Sequence, residues 1–299
     1  MFGKKSRTSA GSIIFDTFNS IFMVFLCVTI LYPVWDMLVA SLSAPGTVST
    51  LTINIWPKNF SIDAYKYCLG ESRILSAFFI SVTRTVVGTV FHIILVACAA
   101  YPLSKLGLPF RKAFMIFFII PMFFRGGLIP MYVTLRKLGF MDNFLVYIIP
   151  TGFSAYVMLI MRNFFMSLDK AVEESALMDG ASVITIMFKI IFPLSKPMLA
   201  TVALWAMVGQ WNAWFDAMIY IRDERKIPLQ LLLKRIMDET NLLSQDMQTF
   251  LLTQPYGVQF STQSVKSAVT VIVLLPIVCV YPFLQKYFVK GIMLGSVKG

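Results

Sequence analysis

The sequence predicts an all-helical protein that crosses a membrane several times, and three observations lead there. Hydrophobic residues make up 58% of the 299-residue chain and charged residues only 14%. The mean hydropathy is +0.75, well above that of soluble domains. Apolar runs that approach or exceed the roughly 20 residues needed to cross a bilayer as helix occur at about 14 to 40, 74 to 102, 111 to 133, 144 to 166, 196 to 221 and 265 to 288. None of them alternates strictly, as a barrel strand would, so helix is the spanning form that satisfies their backbone groups internally.

The first run follows "MFGKKSRTSAGS" and is too long for the apolar core of a signal peptide. It runs into Tyr32, Pro33 and Trp35 without a small-residue cleavage pattern. It reads as a retained span after a short N-terminal segment, residues 1 to 13. The next runs form the body of a single membrane domain, 14 to 290, with a short tail at 291 to 299.

A net charge of +11 raises the question of nucleic acid. The basic residues are spread over loops, and no Lys/Arg stripe interleaved with aromatics appears, so the excess charge belongs to membrane flanks. The two sides carry similar numbers of Lys and Arg, and the positive-inside rule favours an inside N-terminus only slightly.

Cys27, Cys98 and Cys279 fall inside the apolar runs and Cys68 stands alone in a loop. No CxxC spacing occurs, so neither a disulfide framework nor a thiolate zinc site follows. His92, the single histidine, lies in an apolar run and reads as a packing residue. There is no GxxxxGK[ST] loop, no GxGxxG after a strand, no HExxH and no GxSxG, so phosphate chemistry and the common hydrolytic sites are absent from the inventory. A membrane-embedded enzyme would need a cluster of intramembrane catalytic residues, and none is present.

One stretch breaks the apolar pattern: "VEESALMDGASVITIMFKIIFPLSKP", residues 172 to 197. Leu168 to Met178 reads as a short helix with Leu168, Val172 and Ala176 on one face and acid near its N-terminal turns. Asp179-Gly180 ends it, since glycine takes a left-handed C-terminal position without penalty. Ser182 caps a second helix to about Phe192, which Pro193 stops. The expectation is two short helices meeting at a rigid corner, a loop of about 167 to 193.

On these residues the chain resembles a known family. "EESALMDGAS" followed by "KIIFP" is similar to the EAA loop of ABC-importer permeases: Glu-Ala-Ala, three residues, Gly, nine residues, Ile, one residue, Leu-Pro. Glu174, Ala176, Gly180, Ile190 and Pro193 fall at the pattern's places, while Ser175 replaces the first Ala and Phe192 the Leu. "AAYPLSKLG" at 99, "FFRGGLIPMYVTLRKLGFMDN" at 123, "GQWNAWFDAMIYI" at 209, "KIPLQLLL" at 226 and "YPFLQKYFVKGIMLGSVKG" at 281 extend the resemblance over nearly the whole chain. They look like the second permease subunit of the maltose-type carbohydrate importers, in the branch associated with complex and often acidic oligosaccharides.

The resemblance implies a six-span type I importer permease paired with a related permease. Two ATPase subunits would bind ATP and Mg, so this chain would carry no cofactor, and an extracellular solute-binding protein would deliver the oligosaccharide. The EAA loop would be cytoplasmic, which puts both termini inside a bacterial cell membrane. The corner would act as a stiff lever docked in an ATPase cleft, with Glu173, Glu174, Ala176, Asp179, Gly180, Ala181, Ile190 and Pro193 as the coupling residues. Glu174 would pair with a basic residue of the ATPase, and the C-terminal Gly295, Lys298 and Gly299 would form a second ATPase contact.

Sugar rings present apolar faces and hydroxyl rims, so a sugar passage is expected to combine aromatic surface with hydrogen-bonding groups. "GQWNAWFD" offers Gln210, Trp211, Asn212, Trp214 and Asp216, although both tryptophans also suit an interface belt. Arg84, alone in the second run, must face the bundle interior, where it pairs with Asp216 or meets an acidic sugar. In the long connection of about 222 to 263, Leu229, Leu232, Leu233, Ile236 and Met237 have the spacing of an amphipathic helix. It lies in the headgroup layer or docks the binding protein, and Pro255-Tyr256-Gly257 marks a turn beyond it.

Overall fold

The computed structural model describes residues 10–44, 47, 54–124, 126–243 and 262–296. Among them every regular element is helical, apart from a lone bridge between Ser43 and Phe60. In chain order the helices are α1 (Ala10–Ser41), α2 (Asp63–Gly70), α3 (Ser72–Ser104), α4 (Arg111–Phe123), α5 (Leu128–Lys137) and α6 (Ala155–Met166). They continue as α7 (Lys170–Met178), α8 (Val183–Leu194), α9 (Lys196–Asn212), α10 (Phe215–Tyr220), α11 (Leu229–Leu243) and α12 (Thr262–Ser296).

Three of the six expected spans are single helices. α1 and α3 are 32 and 33 residues long and α12 is 35. The other three are interrupted, each for a local reason. The run at 111 to 133 is two helices, and Gly127 precedes the second with φ +81°, a backbone state that favours glycine. The run at 144 to 166 begins as a 3-10 turn, Phe144–Tyr147, capped by Asn143, and becomes regular helix only after Ser154 caps α6. Pro150 and Gly152 lie between. A Cβ on Gly152 would sit 2.5 Å from the Phe91 ring, so this turn exists where the backbone must approach α3 closely.

The run at 196 to 221 stops at Asn212, where Ala213 turns extended, and resumes as α10. By length and composition α1, α3 and Gln263–Val280 of α12 suffice to cross a membrane. Two bent pairs, α4 with α5 and α8 with α9, have the apolar character of broken spans, the second bending by 83°. The 12-residue α6 is apolar but short. Interrupted helix at membrane depth is stable where protein surrounds the break.

The chain forms two compact units, one within 1–70 and 240–272, the other within 71–239 and 273–299. In the first, α1 exposes apolar side chains along most of its length, from Ile13 to Trp35. Its end is tied down by Ser41 Oγ to Tyr65 Oη at 2.7 Å and by Trp35 Nε1, which donates to the Ile55 carbonyl at 3.0 Å. Cys68, expected in a loop, is buried on α2, and burial pushes its thiol up to about 11.

The second unit is organised on α3. Its C-terminal half packs with α6, α7, α8 and α9 in one apolar core that includes Val96, Ala100, Met158, Met161, Ile186 and Val202. A separate core holds Leu135, Val146, Tyr147, Ala217, Tyr220 and Leu231. Apolar burial drives little association within lipid, so close packing at small residues matters more. Gly88 shows it: a Cβ there would lie 2.8 Å from Gln210 of α9.

At about 1.5 Å per residue α3 is roughly 50 Å long, and it separates two ends of the unit. Just past its last turn Lys105 meets Glu173 of α7. On its first turns Ser76 Oγ donates to the Arg225 carbonyl at 2.9 Å, and Arg73 faces Glu224 at 3.6 Å. The acidic corner and the segment around 222–227 therefore lie at opposite ends of one membrane-length helix.

Candidate functional site

The corner is built by capping. Asp169 accepts from the Ala171 amide at 3.0 Å and caps α7, which starts at Lys170, two residues later than the Leu168 start expected. At the other end the Gly180 amide donates to Leu177 O and the Ala181 amide to Ala176 O, both at 3.0 Å, with Gly180 at φ +80°. This is the paired hydrogen-bond pattern of a Schellman C-cap, and it fixes the exit direction of the chain. Ser182 then caps α8, accepting from the Thr185 amide at 3.2 Å.

Two details differ from expectation. Pro193 does not stop α8, because a π-turn over Met187–Ile191 precedes it and the helix continues to Leu194. The wider turn changes the bonding register just before proline, which has no amide hydrogen to donate. Val172, expected on one face with Leu168 and Ala176, is exposed, while Ala176 is buried and Leu168 partly so.

The two glutamates have different roles. The Glu173 carboxylate accepts from Tyr101 Oη at 2.9 Å and from Lys105 Nζ, and Lys105 also lies 4.3 Å from the Tyr101 ring centre. Glu174 is exposed and makes no such bond among the described residues. Around the glycine, Met178 (88% exposed), Val183 (60%) and Ile184 (70%) form an apolar tip, beside a groove of about 340 Å³ that Lys105, Glu173 and Glu174 line. Sequence reasoning missed this tip. Its signal was apolar residues directly flanking "DGAS", where a solvated turn would carry polar ones.

Ile190 packs partly buried on the main core and Pro193 is exposed. Asp179 is the C-cap of α7, and Ala181 packs beside Ala176. Gly295 lies in α12, whereas Lys298 and Gly299 fall outside the described residues, as does Pro255-Tyr256-Gly257. The expected amphipathic stretch is α11. Leu229 and Leu233 are buried there, but so is Leu231, off the expected stripe, because the first turn is enclosed where the Leu229 amide donates to Ser81 Oγ at 2.8 Å.

Of the residues nominated for a sugar passage, Arg84, Gln210 and Trp211 are buried, Trp214 and Asp216 partly buried and Asn212 exposed. Arg84 is fully buried. Its Nε donates to Gln210 Oε1 at 2.9 Å, one terminal nitrogen to Ala213 O and Asp216 Oδ1 at 3.1 Å, and the other to Asp216 Oδ2. The guanidinium also lies 4.5 Å from the Tyr147 ring centre. Arg84 therefore clamps the break between α9 and α10 through these partners. Gln210 extends the network to Thr151 Oγ1 at 2.8 Å. Trp211 is buried and donates to Val273 O at 3.1 Å, Asn212 accepts from Gln230 at 3.2 Å, and Trp214 carries Lys234 over its ring.

A large space lies elsewhere. A cavity of about 1080 Å³ is lined by α4, α5, the start of α6 and Tyr220, with Phe117, Phe118, Phe153 and Tyr156 on its walls. The aromatic and proline-rich run from 117 to 132 was its sequence signal, read only as a span.

Among the described residues the chain is helical, with a capped two-helix corner at one end of α3 and an aromatic cavity away from it. The chain belongs to the family of binding-protein-dependent transport system inner membrane components, whose pattern matches residues 90–294. It is 37% identical over 293 residues to protein LplC of Bacillus subtilis, covering 98% of this chain and 97% of that one. It is 35% identical over 286 residues to the polygalacturonan/rhamnogalacturonan transport system permease protein YtcP of the same organism, covering 96% and 99%. Among solved structures it resembles a chain of a bacterial ABC transporter involved in the import of the acidic polysaccharide alginate, with a TM-score of 0.84 and 32% identity over 96% of this chain and 100% of that one.

Proposed function

We propose that this chain is the permease subunit of an ABC importer that moves an oligosaccharide, of the acidic, uronate-containing kind, across the cytoplasmic membrane. The observation that carries the reading is the corner: a Schellman-capped turn with an exposed apolar tip, fastened through Glu173 to the end of α3. A tip that is apolar, rigid and joined to a membrane-length helix suits a subunit that pushes on it. The partners are a related permease, two ATPase subunits that bind ATP and Mg, and a solute-binding protein. The corner and both termini face the cytoplasm, and Glu174 offers its carboxylate to a basic group of an ATPase. The acidic cargo rests on the similarity to YtcP, a polygalacturonan/rhamnogalacturonan permease, and to the alginate importer.

Purifying the chain with its co-expressed neighbours tests the reading. Recovery of an ATPase and a binding protein, with ATP hydrolysis stimulated by an oligosaccharide, is the expected result. ATP turnover by the isolated, contaminant-free chain, or an assembly without an ATPase, overturns it.

A further inference from the structure

We infer that the pocket formed by Tyr132, Arg136, Met141, Asp142, Tyr220 and Arg222 is a subsite for the carboxylate of an acidic sugar. It deepens the proposed function and rests on it for the class of cargo.

The pocket has a volume of about 370 Å³, within the size range of small-molecule sites. Tyr132 and Tyr220 stack on each other in its wall, with ring centres 6.1 Å apart and planes 20° apart; Tyr220 is buried and Tyr132 half-buried, so Tyr132 supplies the aromatic surface that faces the pocket. Arg136 stands four residues after Tyr132, on the same face of α5, and Arg222 follows Tyr220 by two. Both guanidiniums are exposed, and neither has an ion-pair partner among the described residues. Asp142 acts electrostatically on Arg222, and two guanidiniums against that one carboxylate leave the pocket lining net positive, which favours an anion. A guanidinium is also the side chain that grips a carboxylate with two parallel bonds.

Asp142 also lines the pocket, and its bonds turn it towards the loop. Its carboxylate accepts from the amides of Arg222 at 3.2 Å and Asp223 at 3.1 Å and faces Lys226 Nζ at 3.8 Å. Those bonds hold the carboxylate on the loop, where it offsets only part of the surrounding positive charge, and its own amide donates to Tyr220 O at 2.9 Å, which fixes the pocket wall. The position fits a sugar path in two further respects. Tyr220 lines both this pocket and the cavity of about 1080 Å³. The pocket also lies beside the 222–227 segment, at the end of α3 away from the corner.

The test uses the complete assembly purified in nanodiscs, with trigalacturonate and its fully methyl-esterified, uncharged form as probes. Wild type is expected to bind the acid at least tenfold more tightly than the ester. R136Q with R222Q is expected to lose that margin, R136K with R222K to keep most of it, and K137Q, outside the pocket, to keep all of it. A wild type without preference for the acid, or a double glutamine variant that retains it, overturns the subsite. Uptake of trigalacturonate by cells expressing the same assembly separates the two ideas. Import without the binding preference leaves the importer reading standing and removes the subsite, whereas the preference without import removes acidic cargo and leaves the pocket as an anion site.

Discussion

Glu173 of α7 is ion-paired to Lys105, one residue past the end of α3, which ties the corner to the helix behind it. The adjacent Glu174 points outward. Two neighbouring acids thus differ, one bonded within the chain and the other exposed.

Breaking the fastening should uncouple without unfolding. Glu173→Gln and Lys105→Met are each expected to cost about 1 kcal/mol, because the pair is partly exposed, and to lower sugar-stimulated ATP hydrolysis while the assembly still forms. Exchanging the two charges should restore part of it. Glu174→Lys, by contrast, should abolish transport with no change in the stability of the chain. Thermal melts and stimulated ATPase rates of the reconstituted assembly check this, and a stable, fully coupled Glu173→Gln would refute the fastening.

Gly180 sits at φ +80°, and no atom lies within 4 Å of the place a side-chain carbon would take, so the penalty for substitution is conformational alone. Gly180→Ala should cost about 1 to 2 kcal/mol, and Gly180→Pro should also remove the amide bond to Leu177 and abolish transport. Uptake measured alongside membrane levels decides the matter. Normal transport by Gly180→Pro at normal levels would remove the corner from the mechanism.

Arg84 and Asp216 should behave as a structural pair. Removing one partner leaves a buried charge unmatched, at about 3 to 5 kcal/mol, so Arg84→Gln and Asp216→Asn are each expected to assemble poorly. Arg84→Asp with Asp216→Arg should recover assembly in part. Size-exclusion profiles and melts give the readout, and full assembly by both single variants would contradict the clamp.

Asp142 gives a pH signature. The Asp223 amide first, then the Arg222 amide and the charges of Lys226 and Arg222, hold its carboxyl below the usual range. A carboxyl whose pKa is lowered on folding stabilises above its unfolded pKa, about 3.9, and loses that contribution as pH falls through the lower folded value. Asp142→Asn should therefore be less stable than wild type at pH 7 by an amount that is constant down to about pH 4 and shrinks below it. Equal melting at pH 7 would show that the bracket contributes nothing.

The sequence by itself determined the helical membrane class, the places of the apolar runs, and the corner at Asp179-Gly180-Ala181-Ser182. All three are local: hydropathy follows from composition, and a left-handed glycine between capping residues specifies a turn wherever it occurs. Only the tertiary structure decided what surrounds each polar group. Composition left Arg84 between Asp216 and a sugar, and the fold enclosed it with Asp216 and Gln210. The breaks in the runs at 144 to 166 and 196 to 221 depend on Phe91 and Arg84, far away in the chain. The pairing of Tyr132 with Tyr220 and of Glu173 with Lys105 likewise joins residues 88 and 68 positions apart, and no local pattern specifies which distant helix a side chain will meet.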